Sequence, residues 1–333
     1  MKVSIRTISK VTGFSPATVS NALNHKKGVN KETADEIFRV ANEMGYSNDA
    51  RISRIKFVIY KRTGLIIDNS PFFSNLLEGV ETECRASGYE MTVCNLDRRS
   101  DAFEQRLDEI LEDKTTGVIM LGTEAMDEDF DRFKDAKCPL IILDSWCTSM
   151  TYNGVLINNA DSAKNAVEYL IRKGHKKIGY LRGAFRIKAF SARANGYARA
   201  LHKHGIPSNE KFIVTVATTM DGAYRDMLAY LEQRPVLPTA FFADNDMVAL
   251  GAMKALIEKG YRIPEDISLI GFDDLSSCEI STPRLTTIRV FKQEMGQMAV
   301  RRLLDVVRDG NPIKTKTQIC TEFIERDSVK DLT

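Results

Sequence analysis

Long apolar runs are missing from this chain. The longest stretches, such as Leu140-Ile141-Ile142-Leu143, suit buried strands and fall far short of the roughly 20 residues that cross a bilayer. No apolar core follows Met1-Lys2-Val3-Ser4, so no secretory leader is expected and the protein is read as cytoplasmic, with no membrane partner. Metal-ligand spacing is absent as well. The cysteines Cys84, Cys94, Cys138, Cys147, Cys278 and Cys320 are scattered without a CxxC, as reduced core thiols of a cytoplasmic protein would be. His202 and His204 are two apart on a helical stretch, where their side chains diverge, and His25 and His175 form no recognisable catalytic pair. There is no GxGxxG after a strand, no GxxxxGK[ST] and no GxSxG. The expectation is a protein that is not an enzyme and uses no cofactor and no metal.

What is present is a soluble globular composition, 43% hydrophobic and 28% charged, in 333 residues. That length exceeds one ordinary core, so two or three folding units are expected. Net charge is only +2, but it is unevenly placed. Residues 1–56 carry ten Lys/Arg against five Asp/Glu, which leaves the remaining residues at −3. A basic head on a mildly acidic body points to a polyanion bound by the head.

The head explains itself locally. Residues Ile5 to Asn24 read as two short helices joined by a tight turn. Ile8 and Val11 supply an apolar face to the first, and Gly13 follows where a left-handed residue ends a helix. Ser15 is placed to cap the second helix, with Pro16 at its first position, where no N–H is needed. Val19, Ala22 and Leu23 recur at helical spacing and face inward. Pro16, Ala17, Thr18, Ser20 and Asn21 are left on the outer face near the helix start, where a recognition helix meets phosphates and base edges. Asn30 caps a third helix, whose face is Ala34, Ile37, Ala41 and Met44 and which stops at Gly45. Residues 47–56 are polar and basic, with Ile52 and Ile55 as the only large apolar side chains, and read as a linker.

From Phe57 onward strands alternate with amphipathic helices. Strands are expected at 57–60, 89–96, 117–122, 139–144, 155–158, 177–182, 212–216, 239–243, 267–272 and 285–290. Helices are expected, among others, at 73–87, 161–173, 193–204, 246–259 and 293–308. Such alternation builds parallel sheets covered on both faces, and ten strands exceed one comfortable sheet. The fold class is therefore an all-α helix-turn-helix bundle followed by an α/β body of two doubly wound parallel-sheet subdomains. Ligands of such folds sit at the C-terminal ends of strands, here between the halves.

These features together resemble the lactose/galactose-repressor family of bacterial transcription regulators. The resemblance rests on Ser15-x-x-Thr18-Val19-Ser20-x-x-Leu23-Asn24 in the head. In the body it rests on Gly174-His175-x-x-Ile178-Gly179, Arg193-x-x-Gly196-Tyr197, Asn245-Asp246-x-x-Ala249-x-Gly251, Ile270-Gly271-Phe272-Asp273-Asp274 and Pro283-x-Leu285-Thr286-Thr287-Ile288. It implies a periplasmic-binding-protein-like clamp whose halves are joined by three crossings, near Asn158, Ile288 and Thr321. The expected domains are a DNA-binding bundle at 1–47, a hinge linker at 48–56 and an effector-binding and dimerisation domain at 57–333. Within the last, one subdomain covers about 57–158 and 289–321, the other about 159–288 and 322–333.

The resemblance further implies that Pro16, Ala17 and Asn21 face base edges while Ser15, Thr18, Ser20 and Asn24 contact phosphate. Asn bonding adenine, Ala meeting a thymine methyl and hydroxyls bonding phosphate oxygens make chemical sense of this. Ile55 aligns with the family's minor-groove wedge, although Asn48 and Ser53 depart from the usual residues of the hinge. Phe72, Phe73, Asp144, Arg193, Asn245 and Asp273 are the effector-cleft candidates, aromatic faces with polar forks for a sugar-like ligand. Thr218 stands where several relatives carry an aromatic platform. The expected protein is a repressor that binds a near-palindromic operator as a homodimer under control of a small, sugar-like effector. The alternative is a cytoplasmic or transport-type binding protein without regulatory DNA binding; the basic bundle and the missing leader argue against it.

Overall fold

The computed structural model describes residues 3–23, 28–44, 52–309 and 313–333. The chain divides into two compact units, Met1–Arg51 and Ile52–Thr333. Among the described residues no helix is long and apolar enough to cross a membrane.

The first unit is a three-helix bundle of α1 (Ile5–Thr12), α2 (Pro16–Leu23) and α3 (Lys31–Glu43). Each start is capped by a side-chain oxygen: Ser4 Oγ accepts from the Thr7 N–H (3.3 Å), Ser15 Oγ from Thr18 (3.0 Å) and Asn30 Oδ1 from Thr33 (2.8 Å). Gly13 ends α1 at φ +73°, and its N–H reaches the Ser9 carbonyl. Ile8, Val19, Ala22, Leu23, Ile37, Val40 and Ala41 form the core. Val11 departs from expectation and is exposed. The buried stripe of α1 runs through Ile5 and Ile8 instead, and Val11 falls to one side of it. Asn24 and Gly45 lie outside the described residues.

The second unit opens with β1 (Arg54–Lys61), then α4 (Phe72–Ala86), β2 (Glu90–Asp97), α5 (Phe103–Glu112), β3 (Thr116–Leu121), β4 (Leu140–Leu143) and β5 (Asn153–Ile157). Next come α6 (Asn159–Arg172), β6 (Ile178–Gly183), α7 (Lys188–Lys203), β7 (Ile213–Val216), α8 (Met220–Glu232), β8 (Ala240–Ala243), α9 (Asp246–Glu258) and β9 (Ser268–Ile270). The chain closes with α10 (Ser276–Ile280), β10 (Thr287–Arg289), α11 (Lys292–Asp309), β11 (Lys316–Ile319) and β12 (Glu322–Ile324). A first lobe is built on a parallel six-stranded sheet, order β11-β5-β4-β3-β1-β2, and a second on a parallel four-stranded sheet, order β7-β6-β8-β9. β10 and β12 pair antiparallel where the chain passes between lobes, as it also does after β5. In the first lobe α4 and α11 nearly touch along their backbones: a Cβ on Gly79 would lie 2.1 Å from the Gln293 carbonyl oxygen. Only glycine permits that approach.

The linker expected at 48–56 is corrected at its C-terminal end. Residues 48–51 lie outside the described residues, but Ile52 belongs to the body core and β1 begins at Arg54. Ile55 is wholly buried, because β1 pairs with β2 on one side and β3 on the other and has both faces covered. It is a core residue of the body, not a side chain available to wedge into a groove.

Candidate functional site

In the head, α2 turns Val19, Ala22 and Leu23 inward and leaves its first turn outward. Ser15, Pro16 and Ala17 are exposed, while Thr18, Ser20 and Asn21 are half-buried at the edge of the same face. The Ser15 and Thr18 hydroxyls lie 2.9 Å apart, so both hold fixed rotamers at the helix start. The result is a small, polar, low-relief surface at the positive end of a helix, suited to close approach by a polyanion.

In the body, strand ends of both lobes bring acidic side chains to the cleft. Asp144 follows β4 at φ +59° and Asp273 follows β9 at φ +112°. Backbone in this region costs a residue other than glycine of order 1–3 kcal/mol, and it clusters at ligand sites in folded proteins. Thr123 donates to Asp144 Oδ2 at 2.7 Å, and Asp144 Oδ1 has no hydrogen bond among the described residues. Burial pushes the Asp144 carboxyl up to about 6; the nearby Asp273 adds to the rise, and Thr123 and Arg193 oppose it.

Arg193 lies within α7, five residues beyond its first turn's start, not near a helix beginning as its sequence position suggested. Its guanidinium is buried, and each of its three nitrogens donates one hydrogen bond. Nε donates to Asn159 Oδ1 (2.8 Å), Nη1 to the Asp244 carbonyl (2.6 Å) and Nη2 to Asp273 Oδ1 (3.3 Å). The Phe272 ring lies 3.6 Å from the guanidinium carbon. Lys292 donates to the Asp273 carbonyl. Burial raises the Asp273 carboxyl, with Arg193 and Lys292 opposing. Asn245 caps α9, its Oδ1 accepting from the Val248 N–H at 3.1 Å, so only its amide nitrogen is left for other work. Phe72 is buried and stands edge-on to the half-buried Phe73, ring centroids 5.2 Å apart. Phe73 packs with Ile66 of the first lobe and Ile187 and Phe190 of the second, an apolar contact across the cleft. Thr218 is buried beside Gly183 and offers no platform.

Several residues at the site were not singled out in the sequence. Glu124 is wholly buried and accepts from the N–H groups of Arg62, Thr63, Gly64, Ile66 and Ile67 at 2.8–3.2 Å, pinning the loop between β1 and α4. Asp244 accepts from Tyr180, Gly183 and Arg186, and Asp246 from the Thr287 hydroxyl and the Leu275 N–H. Burial drives the Asp246 carboxyl up to about 7. The run Asp244-Asn245-Asp246 at a strand end was the signal that could have exposed both. Lys188 bridges the lobes, donating to Asp127 Oδ1 (2.5 Å) and the Trp146 carbonyl (2.7 Å). Among the described residues no cluster of three or more His, Cys, Asp or Glu is arranged to hold a metal.

Comparison with known proteins agrees with this layout. The model of bacterial regulatory proteins of the lacI family matches residues 4–49, and that of the periplasmic binding protein-like domain matches residues 167–329. The HTH-type transcriptional repressor PurR of Vibrio atlanticus (strain LGP32) is 32% identical, across 98% of this chain and 99% of its own. A lacI-family regulator from Enterococcus faecium, solved with bound ribose, is 25% identical and superimposes with a TM-score of 0.70 over 84% of this chain and 100% of its own. The lac repressor dimer bound to operator and the anti-inducer ONPF shares the fold, at 22% identity and a TM-score of 0.74 over 99% of this chain and 100% of its own. A capped helix-turn-helix head, a two-lobed parallel-sheet body and full-length likeness to repressors converge: the chain belongs to the lacI family of bacterial transcriptional repressors.

Proposed function

We propose that this repressor binds a near-palindromic operator as a homodimer and is switched by a small hydroxylated effector, a sugar or sugar derivative, held between the lobes of the body. The observation that carries the effector reading is the pair of buried carboxylates, Asp144 from the first lobe and Asp273 from the second, held at strand ends on strained backbone with Arg193 bonded to Asp273. Buried carboxyl and guanidinium groups at a cleft suit ligand hydroxyls, which accept and donate in turn. Support comes from the ribose-bound relative and, for dimeric operator binding, from the lac repressor complex.

On the DNA side, Pro16, Ala17 and Asn21 meet base edges, and Ser15, Thr18, Ser20 and Asn24 contact phosphate. On the effector side, Asp144, Arg193, Asn245 and Asp273 hold the ligand, with Phe73 as the aromatic wall and Phe72 behind it. The ligand switches the protein only by binding the DNA-competent and incompetent states with different affinity. The test is a thermal-shift screen of sugars, sugar phosphates and nucleobases, followed by operator titration with and without each hit. A sugar that raises the melting temperature and changes operator affinity is the expected result. Stabilisation by nucleobases alone would refute the sugar reading.

A further inference from the structure

A cavity of about 110 Å³ opens beside the Arg193 cluster without including it. Asp144, Ser145 and Trp146 after β4, Asn158 after β5, Gln318 on β11 and Lys188 at the start of α7 are among its walls. Arg193, Asp273 and Asn245 are not; the two places meet at Asn159, which lines the cavity and accepts from Arg193 Nε. One water needs roughly 10–15 Å³ of such space, so the cavity has room for several, or for part of a ring.

Its chemistry is specific. The Ser145 hydroxyl is buried and has no hydrogen-bond partner among the described residues. A buried hydroxyl with no protein partner is free to bond a ligand hydroxyl. Trp146 is 41% exposed, yet its indole is fixed: the Lys316 ammonium sits 4.7 Å from the ring centroid and donates to the Cys147 and Ser149 carbonyls. Lys188 is likewise engaged by Asp127 and the Trp146 carbonyl. Lys188 in the cavity wall and Lys316 beside Trp146 therefore already have oxygen partners. What faces inward is an aromatic surface with a hydroxyl, amides and a carboxyl. That set fits the apolar face and hydroxyls of a neutral sugar ring better than a phosphate.

We propose that this cavity is a second sugar subsite, in which Trp146 stacks on one ring of a neutral disaccharide while Ser145, Gln318 and Asp144 bond its hydroxyls. The other ring lies at Arg193 and Asp273, so the proposal rests on the effector site argued above. It makes the natural effector a disaccharide or longer, and Trp146 and Gln318 its specificity-determining residues.

The experiment is calorimetric titration of the full chain with glucose, galactose, xylose, cellobiose, lactose, maltose and xylobiose, with hypoxanthine and glucose 6-phosphate as controls. At least one disaccharide should bind ten-fold or more tightly than each of its constituent monosaccharides. Trp146→Ala should erase that margin while leaving the monosaccharide affinity within two-fold. Gln318→Ala, on an exposed edge strand where folding is not at stake, should reduce it three-fold or more. Disaccharides binding no tighter than monosaccharides, or a margin untouched by both variants, would overturn the second subsite and leave the effector site standing. Binding of a control alone would overturn both, as would no binding by any compound.

Discussion

Arg193 donates to Asp273 across 3.3 Å, and both side chains are buried, one from α7 and one from the strained end of β9. The pair sits at the proposed effector site, but it also holds the body together. Removing Arg193 leaves the Asp273 carboxylate buried without its main partner, a loss of about 3–5 kcal/mol for comparable pairs. Arg193→Ala should therefore lower the melting temperature of the body by roughly 6 °C or more. Asp273→Asn, which keeps an acceptor for Arg193, should lose less than half as much and still lose effector response. Calorimetric melts of both variants, with effector titrations on the folded one, separate the two roles. Equal stability of Arg193→Ala and wild type would make the ion pair dispensable.

Acid should stabilise this body before it destabilises it. Asp144 titrates near 6 and Asp246 near 7 because burial disfavours their charged forms. Their folded values lie above those of the unfolded chain, so the native state binds more protons between about pH 4 and pH 7. Stability contributed by these two groups thus rises as pH falls through that window. Asp97, Asp266 and Asp331 act oppositely: hydrogen bonds from Arg99, Arg262 and Thr333, respectively, hold each near 2. What they contribute is present above the unfolded value and is lost as pH falls toward 2. Melting temperature should rise from pH 8 to pH 5 and drop below pH 4. Asp144→Asn, still able to accept from Thr123, should be more stable than wild type at pH 8 by roughly 2–3 kcal/mol, and the gap should close by pH 4. A wild-type melting temperature that declines steadily from pH 8 downward would contradict this.

Ile55→Ala should act on stability, not on DNA geometry. The side chain is wholly buried between neighbouring strands, and truncating a buried Ile costs about 2–5 kcal/mol. Operator bending by the folded fraction, measured by the mobility of permuted fragments, should match wild type. Reduced bending at unchanged stability would restore the wedge reading.

Legibility in the sequence followed burial. All ten anticipated strands have counterparts, and those covered on both faces of a parallel sheet, such as β3, β4 and β8, stand out as apolar runs. β11 and β12 gave no such signal: Lys316-Thr317-Gln318-Ile319 is an exposed edge strand and Glu322-Phe323-Ile324 half of a short pair. The same blindness misread Ile55, whose partners at β2 and β3 lie tens of residues away. In the cleft, family motifs singled out Arg193 and Asp273 individually, but not that they bond each other across 80 positions. Trp146 went unnoticed for the converse reason: nothing local distinguishes a cavity wall from a surface aromatic.

Asn21 offers the sharpest test of the head. It lies half-buried on the outer side of α2, one turn beyond Ala17, with Val19 and Leu23 anchoring the helix beneath it. An Asn amide presents a donor and an acceptor together, which matches the adenine edge in the major groove and no phosphate oxygen equally well. Each such bidentate contact discriminates by about 1–3 kcal/mol against the wrong base. Non-specific affinity instead comes from neutralising phosphates with the basic residues of the head, and it falls steeply with salt. Asn21→Ala should therefore weaken binding to the operator by roughly five-fold to a hundred-fold, leave binding to random DNA within two-fold, and leave the salt slope on both unchanged. Competition titrations on operator and scrambled duplexes at two salt concentrations supply all three readouts. If both DNAs are weakened equally, Asn21 positions the helix and the sequence is read by its neighbours on the same face, Pro16 and Ala17.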